Sequence, residues 1–263
     1  MKLLTLNCHS WQEENQLDKI KYLAKVISEK DYDVIALQEV SQSIKADYID
    51  SKLKKDNFAV LLKAELDKYT KDKYNFYWDV SHIGYDVYEE GLAIFSKHKI
   101  IENESFFITK SNDITYWKTR KIIKSIISYK EKNIEFYSCH LGWWEDEHEP
   151  FDNQVNNLIE NMDNNKITFL MGDFNNNAFI KDEGYDYLIS KGLKDLFTLS
   201  QERDSGITVN GEIAGWDENT EKLRLDLILS NNSMKVKKSN VIFNGKNKEI
   251  ISDHYGVECV IDI

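Results

Sequence analysis

Apolar residues recur along this chain with two different periods. "KLLTLN" at the start and "DVIALQE" near residue 39 are short apolar runs, each ending on a polar residue. Between them, "NQLDKIKYLAKVISEK" puts Leu17, Ile20, Leu23, Ala24 and Ile27 at helical spacing, which predicts strand, helix, strand. A long helix is expected from about 43 to 69, where "DNFAVLLKAELDKY" places Phe58, Leu61, Leu62 and Leu66 on one face and lysines on a solvated one. From Tyr74 to Cys139 the period shortens to two. "YNFYWDV", "GLAIFSK", "ESFFITK", "RKIIKSIISYK" and "NIEFYSCHL" read as a meander of strands joined by polar turns such as "YKEKN". The second half returns to the mixed pattern: a helix near 152 to 163, the strand "KITFLM", a helix around "GYDYLISKG", and strands in "LRLDLILS", "SNVIFN" and "YGVECVIDI". Two sets of strands with helices outside both imply two packed sheets.

Composition narrows the class. At 263 residues and 41% hydrophobic the chain can bury a sizeable core, and its single proline, Pro150, leaves no linker-like stretch, so one domain over 1–263 is expected. The three cysteines, Cys8, Cys139 and Cys259, lie far apart without a CxxC pair and read as core thiols, not a zinc site or disulfide framework. The opening apolar stretch is broken by Asn7 and His9 and is too short for a secretory signal core. No apolar run approaches the roughly twenty residues that span a bilayer, so the expected setting is the cytoplasm, with no membrane partner. A net charge of -11 repels polyanions, which disfavours DNA as a substrate.

Polar residues end or interrupt five apolar runs: Asn7 after "KLLTL", Glu39 after "DVIALQ", Asp173 after "ITFLMG", Asp226 within "LRLDLILS" and Asp253 in "IISDHYGV". A buried strand that stops at its last apolar residue delivers the next side chains to the sheet rim, where α/β folds place ligand chemistry. Singly, each such residue reads as a turn former or helix cap. Together they suggest a cluster of hard oxygen ligands suited to magnesium or manganese. His140, ending "NIEFYSCH", and His254 complete the set, and an acid such as Glu39 after a near-continuous apolar run costs free energy unless paired or metal-bound. His9, His82, His98 and His148 read as surface histidines, with only His82, in "SHIGYDVYEEG", placed near the site.

In order, "LNCHS", "ALQEV", "EEGLAIFSK", "CHLGWW", "MGDFN", "LRLDLIL" and "SDHYGV" resemble the motifs of the endonuclease/exonuclease/phosphatase family over nearly the whole chain. The resemblance implies a DNase I-like fold: a four-layered α/β sandwich of two mostly antiparallel sheets flanked by helices. It implies a Mg2+ site, with Mn2+ as an alternative, at Asn7, Glu39 and Asp253, with Glu39 the main ligand. Asp173 is then the residue that activates the attacking water, Asn175 the carboxamide on the phosphate, and His140 and His254 the pair facing phosphoryl oxygens. Asp226 orients His254, and Glu90, or its neighbour Glu89, orients His140. Phosphate-ester hydrolysis needs these parts: a water made nucleophilic, charge neutralised on the phosphoryl oxygens, and help for the leaving oxygen.

The loops bear on the substrate. "LGWWEDEHEPFDNQ" and "GEIAGWDENTEKLR" are acidic and carry Trp143, Trp144 and Trp216, which suit a sugar ring as well as they suit a sheet edge. With "SHIGYDVYEEGLAIFSK" they are similar to bacterial maltose 6'-phosphate phosphatases, which implies a phosphomonoesterase acting on a small phosphorylated sugar, without nucleic acid. The alternative is a phosphodiesterase of the same family, sphingomyelinase-like or nuclease; more remote is an inactive binding module. Lys118, Arg120, Lys121 and Lys124 are expected to face solvent.

Overall fold

The computed structural model describes residues 1–71 and 73–263. Its first elements are β1 (Lys2–Asn7), α1 (Gln16–Lys30), β2 (Val34–Ser43), α2 (Phe58–Thr70), β3 (Asn75–Gly84), β4 (Tyr88–Ser96) and β5 (Ile100–Phe107). Next come β6 (Lys121–Tyr129), β7 (Lys132–His140), α3 (Phe151–Glu160), β8 (Thr168–Asp173), α4 (Gly184–Ser190), β9 (Lys194–Asp195) and α5 (Leu196–Leu199). The chain continues through β10 (Ser200–Arg203), β11 (Val209–Asn210), β12 (Lys222–Leu223), β13 (Asp226–Ser230), β14 (Lys235–Ile242) and β15 (Gly256–Asp262).

One sheet has seven strands in the order β10-β14-β15-β1-β2-β4-β3; the other has six, β5-β6-β7-β8-β13-β9; β11 and β12 pair separately. Both large sheets are mostly antiparallel. Two parallel pairs define a common rim: β1 with β2 across α1, and β7 with β8 across α3. A parallel pair needs a crossover, so each sheet contains one strand-helix-strand unit whose strands end at the same rim.

Period-two alternation assigns each strand residue to a layer. Leu4, Leu6, Ile35 and Leu37 pack outward against α1 and α2, while Leu3, Val34 and Ala36 pack inward. In the second sheet Phe136, Phe169 and Met171 meet them, and Tyr137, Cys139, Leu170 and Leu227 pack outward against α3 and α4. Helices, sheet, sheet, helices: the expected four layers are present. Each fully buried Leu, Ile or Phe contributes about 1.5–3 kcal/mol, so most of the stability resides in these three apolar seams. All three cysteines are free and buried. No helix among the described residues is long and apolar enough to cross a membrane.

Three expectations need correction. The helix expected over 43 to 69 is only α2: β2 runs to Ser43, and the segment up to Asn57 is a loop. Its backbone is satisfied by side chains instead of helical bonds. Buried Lys54 donates from Nζ to the carbonyls of Ser43 and Ile44, and Asn57 caps α2 by accepting from the N–H groups of Ala59 and Val60. The meander is split, because β3 and β4 extend the seven-stranded sheet while β5, β6 and β7 belong to the other. Leu17, expected on the buried stripe of α1, is 55% exposed.

Candidate active site

The face shared by the two sheets changes character along its length. Behind the apolar middle, Thr5 Oγ1 donates to Gln38 Oε1 (3.2 Å) and Gln38 Nε2 donates to Ser138 Oγ (2.9 Å). One step further towards the rim, the same alternation delivers Asn7 on β1, His140 on β7 and Asp173 on β8, with His140 and Asp173 in direct register. The antiparallel neighbours add Asp226, opposite Asp173, and Glu90, opposite Ser41. Glu39 is out of phase, since Leu37 before it faces the helices. A register shift between Leu37 and Val40 and a left-handed backbone at Glu39 (φ 50°) correct the phase and bring its carboxylate to Asn7. A non-glycine residue in that region costs on the order of 1–3 kcal/mol, which the packed surroundings must offset.

Gly172 makes the Asp173 strand end possible. At φ 155° its backbone passes so close to β7 that an added Cβ would lie 1.9 Å from the Cys139 carbonyl oxygen.

Asp173 is the hub. Its Oδ1 accepts from the Asn175 N–H (2.8 Å) and its Oδ2 accepts from Asn7 Nδ2 (3.1 Å), while the Nε2 atoms of His140 and His254 stand 3.8 and 3.7 Å from Oδ2. His254 Nδ1 is 2.9 Å from Asp226 Oδ2. Glu90 Oε1 lies between His140 Nδ1 (3.9 Å) and His82 Nε2 (3.4 Å). Glu89 turns away to Lys54 and Gln42, so of the two neighbours Glu90 is the one beside His140.

Burial sets the charges. It pushes the Asp173 carboxyl up to about 7, with Asp226 adding to the shift and His254 opposing it. Burial, then the charge of Glu39, raise Glu90 to about 8. His140 is driven well below the usual histidine range by burial and the nearby Arg120, so it is neutral. Burial would do the same to His254, but Asp226 and Asp173 overrule it and hold it well above that range, as the cation. One histidine of the pair is therefore a neutral hydrogen-bonding group and the other a fixed positive charge.

The donor set fits a divalent cation. Glu39 is raised by burial and then by the charge of Asp253, an arrangement of repelling carboxylates that a cation relieves. Among the described residues, ligand-type atoms converge in three groups: Glu39 with Glu90 and His140, Asp253 with His9 and Glu13, and Asp173 with Asp226 and His254. Asn7 braces the site from between, donating from Nδ2 to both Glu39 (2.8 Å) and Asp173 while its Oδ1 accepts the His9 N–H.

The rim opens into a cavity of about 510 Å³ lined by Glu39, Glu90, His140, Asp173, Asn175 and His254, among others. Of the three expected tryptophans, Trp143 lines it. Trp144 packs instead against Phe151 and Tyr187 beside α3 and α4. Trp216 donates its indole N–H to Asn175 Oδ1 (3.2 Å), bracing that carboxamide from behind. Asp253 stands at the edge, 3.6 Å from His9 Nδ1.

Three lining residues lie outside every segment placed at the site from the sequence: Arg120, Trp117 and Thr115. Arg120, expected at the surface, is 3% exposed and donates from Nη1 to the Trp117 carbonyl (2.9 Å). Neighbouring Lys118, Lys121 and Lys124 pair with Asp146, Asp79 and Glu104, so in a run of four cations only one turns inward. His82, read as a surface residue near the site, is buried in the cavity wall and pushed down to about 3 by burial and Arg120.

Residues 4–254 match the profile of the endonuclease/exonuclease/phosphatase family. No curated protein matches the chain. Among solved structures, an endonuclease/exonuclease/phosphatase family protein from Leptotrichia buccalis C-1013-b is 42% identical, with both chains covered in full and a TM-score of 0.94. A mannosyl-6-phosphatase from Bacteroides thetaiotaomicron VPI-5482 is 17% identical, again with full coverage of both, at 0.71. TDP2 of D. rerio, complexed with a single-strand DNA product, is 15% identical at 0.68, covering 100% of this chain and 99% of that one. At the two lower identities the likeness is one of fold, and substrate is not transferred by it. The motifs in order, the rim cluster, the profile and the 42% identical structure agree: the chain belongs to the endonuclease/exonuclease/phosphatase family, whose members are phosphoester hydrolases.

Proposed function

We propose that this protein is a divalent-metal-dependent phosphomonoesterase that releases phosphate from a phosphorylated sugar. The observation that carries the reading is the Asp173 carboxylate held between a neutral His140 and a cationic His254, itself backed by Asp226 at 2.9 Å. Glu39, with Asp253 close enough to repel its charge and Asn7 as brace, would hold Mg2+ or Mn2+. The ion supplies neutralisation of the charge that grows on the phosphoryl oxygens. The chain's own residues do the remaining work. Asp173 Oδ2 takes a proton from the attacking water, a task suited to a carboxyl whose affinity for protons burial has raised towards neutrality. Asn175 Nδ2 donates one hydrogen to the Leu141 carbonyl (2.8 Å); its other hydrogen and positively charged His254 would hold the phosphoryl oxygens, with neutral His140 donating a hydrogen bond beside them. Glu90 Oε1, 3.9 Å from His140 Nδ1, would orient that ring on closing to hydrogen-bond distance.

An acidic cavity mouth and a net charge of -11 support a small substrate over a polynucleotide. The test is phosphate release by purified protein with magnesium, offered maltose 6'-phosphate, glucose 6-phosphate, bis-p-nitrophenyl phosphate and plasmid DNA, with a chelator control. Chelator-sensitive release from a sugar phosphate, with diester and DNA intact, supports the reading. Cleavage of the diester or DNA in preference replaces it with a phosphodiesterase acting through the same rim residues.

A further inference from the structure

We propose that the cavity mouth selects a ring-shaped leaving group that carries no second phosphate, with Trp117, Asp86 and Asp217 as the selecting residues. This rests on the phosphomonoesterase reading and names what the site rejects. A cavity of about 510 Å³ is of the size that takes a whole small molecule, far more than a phosphate needs, so the leaving group shares it. Its inner end holds the histidines and Arg120. Its outer end is built from three loops: the β3–β4 turn, the segment before β6, and the segment between β11 and β12.

Trp117 lines the cavity yet is 52% exposed, its ring meeting the Lys118 ammonium 5.3 Å from its centroid and otherwise open beside a site. It is nevertheless braced. Arg120 holds its carbonyl, and its ring stands 6.0 Å from that of Trp143. Trp143 lies so close over Gly215 that a Cβ there would come within 2.4 Å of the indole. The Ile83 N–H donates to the Ile114 carbonyl (2.6 Å), tying the β3–β4 hairpin to the Trp117 segment. A rigid, exposed indole at a polar mouth suits the C–H face of a sugar ring.

Asp86 and Asp217 share the cavity with this indole. Both are exposed, both line the cavity, and neither forms an ion pair among the described residues. An uncharged polyhydroxylated ring passes them without cost, whereas a second phosphate is repelled by both. Nucleotide chains and sugar bisphosphates share that handicap.

The test compares kcat/KM for glucose 6-phosphate and glucose 1,6-bisphosphate. Wild-type protein should favour the monophosphate by roughly tenfold at low salt, the margin shrinking as salt screens the carboxylates. The double variant Asp86→Asn, Asp217→Asn should bring the two substrates to within about twofold. Trp117→Ala should raise KM for glucose 6-phosphate by about tenfold, and that for glycerol 2-phosphate, which has no ring, by clearly less. An unchanged mono-to-bisphosphate ratio in the double variant overturns the charge selection, and equal KM effects on both monoesters overturn the platform. Wild-type protein inert towards every monoester overturns the phosphomonoesterase reading itself, an outcome visible before any variant is made.

Discussion

Asp173 gathers contacts from β1, from β7 and from the loops that carry Asn175 and His254, and replacing it tests the base role with little change of shape. Asp173→Asn keeps the volume and removes the proton acceptor, so kcat should fall by about 10²- to 10⁴-fold with an unaltered far-ultraviolet spectrum. Near-normal turnover would dismiss Asp173 as the base. A second residue-scale test lies away from the chemistry. Arg224 Nη2 bonds both carboxylate oxygens of Asp195 (2.9 and 2.7 Å) with both side chains buried. Arg224→Met removes the counter-ion of buried Asp195, leaving it only the Tyr185 hydroxyl and the Phe197 N–H, and should cost about 3–5 kcal/mol in urea unfolding. A loss below about 1 kcal/mol would mean that water reaches Asp195 after all.

At the scale of elements, the tightest constraint is the approach of β8 to β7. Gly172→Ala cannot be relaxed by a side-chain movement, because the atom it meets is the Cys139 carbonyl. Separating the two strands would displace both Asp173 and His140. The variant should lose more than about 2 kcal/mol of stability and nearly all activity. Full activity with wild-type unfolding would show that the pair of strands can part without cost. The loop from residue 211 to 221 acts more gently: Trp216→Phe removes the donor to Asn175 and leaves a smaller aromatic ring on the Ile213 and Leu223 cluster, so turnover should drop by about fivefold to tenfold with a stability loss of no more than about 1–2 kcal/mol.

At the scale of the whole molecule, acidic side chains from both sheets and from the segment before β15 meet at one rim. Glu39 and Asp253 repel each other there, so a bound cation should stabilise the fold as well as support turnover. Magnesium at about 100 times its Kd should add roughly 2.7 kcal/mol, read as a rise in melting temperature that a chelator reverses. Glu39→Gln should abolish most of that rise. An undiminished shift in this variant would move the cation to the Asp253, His9 and Glu13 group.

The alternating and helical periods were sufficient for the layers, because a strand with one apolar face and a helix with one apolar stripe can be buried in only a few ways. Motif order put Asn7, His140 and Asp173 at strand ends, and each follows its strand's own alternation to the shared rim. Glu39 does not follow it, and its place depends on a bulge that only the pairing of β2 with β4 reveals. The loop over residues 44 to 57 was unreadable for a related reason: its backbone partners, Lys54 and Asn57 among them, act only once the sheet exists. Arg120 shows the limit most plainly. Four cations within seven residues look equivalent along the chain, and which one is buried depends on acceptors, the carbonyl of Trp117 and the acids of the rim, that folding brings from elsewhere. The chain by itself thus determined the layers and the chemistry of the strand ends, both written in local periodicity. Tertiary structure decided the bulge, the buried cation and the walls of the cavity, because burial, charge coupling and steric fit arise only between segments distant in sequence.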